Sequence, residues 1–169
     1  MTTPKRTRLD RTERQVTRAV DRLGGVGTHR GWHRADWTRA VKREVARLGK
    51  RNGHYVCAAS VNEAHWGEWL YDVCWLHMDR GDFLGRVPLV MECEWQANEV
   101  ENDFLKLVQA RADHRVMVFY PYAGRTAVAS TDELIRNARR FRHSESGDRY
   151  LLGCWSDERD RLDWVAYVL

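Results

Sequence analysis

The stretch PLVMECEWQANE, residues 88–99, places Glu92 and Glu94 one residue apart at the end of an apolar run. Side chains alternate along a strand, so these two carboxylates share one face while Leu89, Met91 and Cys93 point to the other. Two like charges about 7 Å apart on a partly buried face repel, and a divalent cation relieves the repulsion. Magnesium suits such a site because it takes oxygen ligands and keeps several waters. Asp72, in WLYDVCWL, interrupts a second apolar and aromatic run. If the two strands pair, Asp72 approaches both glutamates. The alternative is that all three acids line a solvated sheet face, where acids mostly lie.

The elements that must position these acids follow from hydrophobic period and punctuation. Residues 1–10 read as a loose basic tail. RTERQVTRAVDRLGG reads as a short helix closed by Gly24 and Gly25. Trp32 to Leu48 reads as a second helix, with Trp37, Ala40, Val41, Val45 and Leu48 at helical spacing. HYVCAASV (54–61), EWLYDVCWLHM (68–78) and RVPLVMECEW (86–95) read as strands. Asn98 opens a helix with Glu101 as its capping-box partner, and Val100, Phe104, Leu107 and Val108 form the apolar stripe. HRVMVFYP (114–121) reads as a buried strand. A helix capped by Ser130 and Glu133 runs to about Phe141, and RYLLGCW and RLDWVAYVL read as a closing hairpin. This order predicts one α/β domain over residues 1–169: a mixed β-sheet with hairpin-joined strands, then a parallel crossover, flanked by helices.

An acid on one strand, then acid-x-acid on the next, inside a helix–three strands–helix–strand order resembles the PD-(D/E)XK, restriction-endonuclease-like superfamily. The resemblance covers residues 32–121, with Asp72 in LYDVCW as its first element and Glu92-Cys93-Glu94 in VMECEW as its second. It implies a restriction-endonuclease-like α-β-β-β-α-β core, here preceded by an N-terminal helix and followed by an α-β-β extension over 130–169. Two departures stand out: Glu94 occupies the motif's lysine position, and Tyr71 precedes Asp72 where proline is usual. In several relatives a lysine on the following helix substitutes, which makes Lys106 the candidate. A helical wheel, however, turns Lys106 about 200° from Phe104, toward solvent. Gln96 and Gln109 are alternatives. Many members also use a glutamate on the first helix, here Glu44, which could equally pair with Lys42 or Arg47 on the surface.

The resemblance implies a divalent-metal-dependent endonuclease that hydrolyses nucleic-acid phosphodiester bonds, DNA favoured over RNA. Asp72, Glu92 and Glu94 would hold Mg²⁺ or Mn²⁺, and a homodimer would serve to cut two strands. Two other readings stand beside it. One is a catalytically inactive nuclease-fold protein that binds nucleic acid or a protein partner; the other is a plain α/β interaction module with surface acids.

The bulk composition is compatible with each. The 169 residues, 43 % hydrophobic, suit one globular domain with a real core. A net charge of +4 permits a polyanionic partner without demanding one. Basic residues cluster in the first 23 positions and in RNARRFRH, where Arg136, Arg139, Arg140 and Arg142 are candidate nucleic-acid contacts or simply a solvated face. Eight tryptophans either stack bases or fill the core, the commoner use. The four cysteines have no C-x-x-C spacing and read as reduced core thiols. His29 and His33 have i, i+4 spacing, but Gly31 between them argues against a metal pair. No apolar run approaches the roughly 18 residues of a membrane span. The charged N-terminus has no apolar signal core, so a cytoplasmic protein with no membrane partner is expected.

Overall fold

A computed structural model of the chain describes residues 5–67, 69–80 and 83–169, apart from the side chains of Gly25, Thr28 and His29. The His29–His33 pair therefore lies outside the described residues. The elements are β1 (Lys5–Thr7), α1 (Arg11–Asp21), α2 (Gly24–Arg30), α3 (Arg34–Arg51), β2 (Tyr55–Cys57), β3 (Val73–Met78), β4 (Leu84–Glu94), α4 (Val100–Gln109), β5 (His114–Phe119), α5 (Ala127–Arg140), β6 (Arg149–Ser156) and β7 (Arg161–Val168). The strands form one mixed sheet in the order β1-β7-β6-β5-β4-β3-β2. β2, β3 and β4 pair antiparallel, β4, β5 and β6 pair parallel, and β6, β7 and β1 pair antiparallel. The expected order over 32–121 is present as α3-β2-β3-β4-α4-β5.

Strand alternation sorts the core into two halves. Trp75, Leu89, Met91, Cys93, Val116 and Val118 face α1 and α3, where Val16, Val20, Val41 and Val45 meet them. Val90, Met117, Phe119 and Leu152 face α4 and α5, where Phe104, Leu107, Leu134 and Ile135 complete the packing. All four cysteines are free and buried. Among the described residues no helix is long and apolar enough to cross a membrane.

Several local expectations are corrected. The basic tail is not loose throughout: Lys5–Thr7 adds an edge strand to β7. Gly24 does not end α1, which stops at Asp21; it opens the short α2 instead. The strand read at 54–61 is only Tyr55–Cys57, because the chain leaves the sheet and returns its Trp66 as an isolated bridge to Cys57. Asn98 makes no cap: Glu99 is the N-cap of α4 without a side-chain cap bond, and the Asn98 amide donates to Glu99 instead. Thr126 rather than Ser130 caps α5, where its hydroxyl accepts from the Ala129 N–H.

The N-terminal segment is held by a charged clasp. Asp10 and Glu13 form a capping box on α1. Arg149 of β6 donates to both oxygens of the buried Glu13, at 3.0 and 2.7 Å, and His114 Nε2 lies 2.7 Å from Asp10 Oδ2. Burial alone would raise the Asp10 carboxyl, but the Glu13 N–H, His114 and Arg149 outweigh it and hold that carboxyl below its usual value. Its contribution to stability is therefore complete above the usual carboxylate range and is lost as pH falls through the lowered pKa, below about 4. Glu13→Ala leaves Arg149 without its main partner and is expected to cost about 3 kcal/mol, read as a lower urea midpoint at unchanged slope. An unaltered midpoint would show that the clasp holds nothing.

Candidate functional site

β4 carries the acids to its carboxyl end, the edge of an open α/β sheet where ligands commonly bind. Val73 pairs with Met91, so Asp72, one step before β3, comes level with Glu92. The Asp72 carboxylate bridges two elements: Oδ2 accepts from the Cys93 N–H at 2.9 Å, and Oδ1 lies 2.9 Å from Lys42 Nζ of α3. Glu92 points to the α4 side, beside Val90, and is 2 % exposed. Lys106 Nζ lies 2.9 Å from Glu92 Oε1 and 2.8 Å from Asp103 Oδ1. Lys106 is thus the charged partner of the buried Glu92 Oε1. Glu94 is half-buried, and its Oε1 accepts from the Gln96 N–H.

Burial pushes the Glu92 carboxyl up to about 7; the Asp72 charge adds to the rise and Lys106 only partly opposes it. Burial alone would lower the Lys106 ammonium, but Asp103 and Glu92 outweigh it and raise that group. Burial likewise raises the Cys93 thiol well above its ordinary value, which keeps it a neutral core group.

These side chains line a cleft of about 410 Å³ between α3 and α4. Arg34, Ala35 and Thr38 form its α3 wall, Asp103 and Lys106 its α4 wall, and Asp72, Glu92 and Glu94 its floor. Asp72, Glu92, Glu94 and Lys106 thus line one cleft, with the glutamates on one face as strand alternation requires, although the ligand oxygens of the three acids do not all lie within 4.8 Å of one another. Lys106 is 46 % exposed along its side chain yet reaches Glu92. Its stem leaves the solvent-facing side of α4 as the helical wheel has it, but a long lysine carries its charge around the helix.

Glu44 is not in the cleft. It pairs with Arg47 at 2.8 Å, as the surface alternative has it. α3 lines the cleft with Ala35 and Thr38 and buries Lys42, and Glu44 lies about 200° from Lys42 on that helix. Arg136, Arg139, Arg140 and Arg142 also lie elsewhere: α5 runs back from the carboxyl end of β5 to the start of β6, so its last turn sits at the opposite end of the sheet from Glu94. Arg136 approaches Glu133 at 3.8 Å. The cation at the cleft mouth is instead Arg34.

Sequence reasoning missed Lys42, which is 7 % exposed. Its helical phase was the available signal: it lies about 40° from Ala46 and 60° from Val45, inside the apolar stripe of α3. A lysine in that phase is buried only if it meets a carboxylate.

The donor set of the cleft is hard oxygen, which fits a magnesium-type ion held by one or two carboxylates and waters. Asp72 and Glu92 meet that description, and Cys93 lines the cleft beside them. Among the described residues, the one trio of acid and histidine ligand atoms lying within 4.8 Å of one another is Asp10, Glu13 and His114. That trio is already committed to Arg149 and to the α1 cap. Comparisons with protein-family models, with curated proteins and with solved structures give no match to this chain.

Proposed function

We propose that the cleft between α3 and α4 is the active site of a divalent-metal-dependent nuclease with a restriction-endonuclease-like core. The observation that carries this reading is the buried Glu92 carboxyl, level with Asp72 across the strand pair, on the floor of an oxygen-lined cleft. Such a carboxyl is costly to ionise, Lys106 offsets that cost only in part, and a divalent cation would complete the compensation. Asp72 and Glu92, with the Cys93 carbonyl, would hold Mg²⁺ or Mn²⁺, and Glu94 would orient water beside them. A bound ion of this kind lowers the pKa of its water and offsets charge on phosphate oxygens.

The chain's own groups supply the rest. Lys106 takes the role of the absent motif lysine, its ammonium placed to stabilise negative charge that develops on the phosphate. Lys42 is a positioning residue: it fixes Asp72, which in turn is tied to the β4 backbone. Arg34, exposed at the mouth, contacts the nucleic-acid backbone with salt-sensitive affinity.

A second reading rests on the same two lysines. Lys42 and Lys106 neutralise Asp72 and Glu92 without any ion, as a nuclease fold that has lost catalysis and kept binding would. Cleavage separates the two. With Mg²⁺ or Mn²⁺ the protein is expected to nick plasmid or labelled single-stranded DNA or RNA, to stop in EDTA, and to lose at least about a hundredfold in rate as Asp72→Asn. Binding without cutting under every metal condition would move the protein to the second reading.

A further inference from the structure

Beside the carboxylate cleft lies a second cavity, of about 350 Å³, walled by Trp32, Trp37, Trp95, Tyr120 and Trp155 with Arg34 at its edge. That volume falls within the range of small-ligand pockets. Trp95 and Arg34 line both cavities, so the aromatic one opens from the charged one. Register explains the arrangement. Glu94, Phe119 and Cys154 are level on β4, β5 and β6. The residues after them, Trp95, Tyr120 and Trp155, therefore form a row across the carboxyl ends of three parallel strands. Trp37 of α3 leans on this row, 6.0 Å from Trp95 and 5.4 Å from Trp155 between ring centres, and Trp32 meets Trp37 edge-on at 5.2 Å. Gly27 of α2 has no room for a Cβ against Trp37 and Trp32, so that helix lies directly on the rings.

This is not how the core uses tryptophan. Trp75 is fully buried and donates its N–H to Val45 O. Trp32, Trp37, Tyr120 and Trp155 are only partly buried. Trp155 donates to Asp157 and Trp164 to Asp21, whereas the N–H of Trp95, itself 8 % exposed, is buried without an acceptor. A donor left in that state is expensive.

We propose that the aromatic cavity receives an unpaired base of a single-stranded nucleic acid; on the nuclease reading above, the adjoining phosphate lies in the carboxylate cleft. Every base offers a π-face for stacking, but a duplex hides those faces, so a stacking cavity selects unpaired strand with little sequence preference. Arg34, shared by the two cavities, is placed to meet the phosphate that links the stacked base to the cleft.

The test uses the full-length protein in EDTA, so that nothing is cut. Labelled oligothymidine and oligouridine strands, an abasic strand of equal length and a duplex of equal length are titrated by fluorescence anisotropy, with intrinsic tryptophan fluorescence followed in parallel. The base-bearing strands are expected to bind about tenfold more tightly than the abasic strand and to quench tryptophan emission. Trp155→Leu is expected to lose about tenfold on base-bearing strands and nothing on the abasic strand. Equal binding of abasic and base-bearing strands, preference for the duplex, or no binding of any strand overturns the proposal. Adding Mg²⁺ to the same complexes separates the two claims. Base-dependent binding without cleavage ends the nuclease reading and leaves the cavity; cleavage without base-dependent binding does the reverse.

Discussion

Glu92→Gln is expected to abolish metal-dependent cleavage, a loss of at least about a thousandfold, while making the metal-free protein more stable at alkaline pH. The two effects have one cause. Burial holds the Glu92 carboxyl at about 7 against an ordinary value of 4.5. In the fold this group therefore prefers its proton, and its favourable contribution is complete below about pH 4.5. It is lost as pH rises through about 7, above which the fold carries a buried charge. Glutamine keeps the shape and removes the charge, so the variant gains about 1–3 kcal/mol over wild type at pH 8 and nothing near pH 5. The lower end allows for Lys106, whose ammonium loses one of two carboxylate partners. Urea unfolding in EDTA at the two pH values reads the difference. Parallel curves for the two proteins would mean that Glu92 bears no buried charge, and a stability gain without loss of cutting would remove it from the site.

This coupling of strain and function explains which parts of the site the sequence made legible. Strand alternation requires Glu92 and Glu94 to share a face, and both the period and the face were readable from PLVMECEW alone. Their environment was not. Whether that face is solvated depends on where α4 lands, which is set by the crossover to β5 and by the packing of Val100, Phe104 and Leu107. Asp72 depended on register, and the Val73–Met91 pair that supplies it is a long-range fact. Long side chains defeated phase arguments in both directions: Lys106 reaches in from a solvent-facing position, and Lys42 lies in the apolar stripe where a hydrophobic residue is the default. The arginine run at 136–142 was conspicuous because composition is visible along the chain, whereas its place at the far end of the sheet follows only from the direction of α5. The aromatic row is the opposite case. Trp95, Tyr120 and Trp155 are 25 and 35 residues apart in sequence and become neighbours only because Glu94, Phe119 and Cys154 stand level on three parallel strands.

On the proposed nuclease reading the two lysines make separable predictions, and the contrast between them decides how the cleft would compensate for Glu94, which stands where the resembled motif carries lysine. Lys106→Met keeps most of the stem and removes the ammonium. If Lys106 stabilises charge on the reacting phosphate, the variant loses about 10²–10³-fold in kcat and still binds metal. The acid limb of its pH–rate profile also moves to higher pH, because Glu92 then ionises without a neighbouring cation to oppose burial. Lys106 is half-exposed, so its removal perturbs stability mainly above about pH 7, where Glu92 is charged. Lys42→Met behaves differently. Lys42 and Asp72 are both largely enclosed, and removing the ammonium leaves a carboxylate tied to the Cys93 N–H with its charge uncompensated. The expected cost is about 3 kcal/mol of stability at neutral pH, with cleavage falling because Asp72 is no longer held in place. Rate, pH profile and urea midpoint measured together on both variants discriminate the roles. A kcat loss in Lys106→Met with an unmoved pH profile would detach that lysine from Glu92. Full activity in Lys106→Met would mean that another group, with Lys42 the first to test, supplies the positive charge.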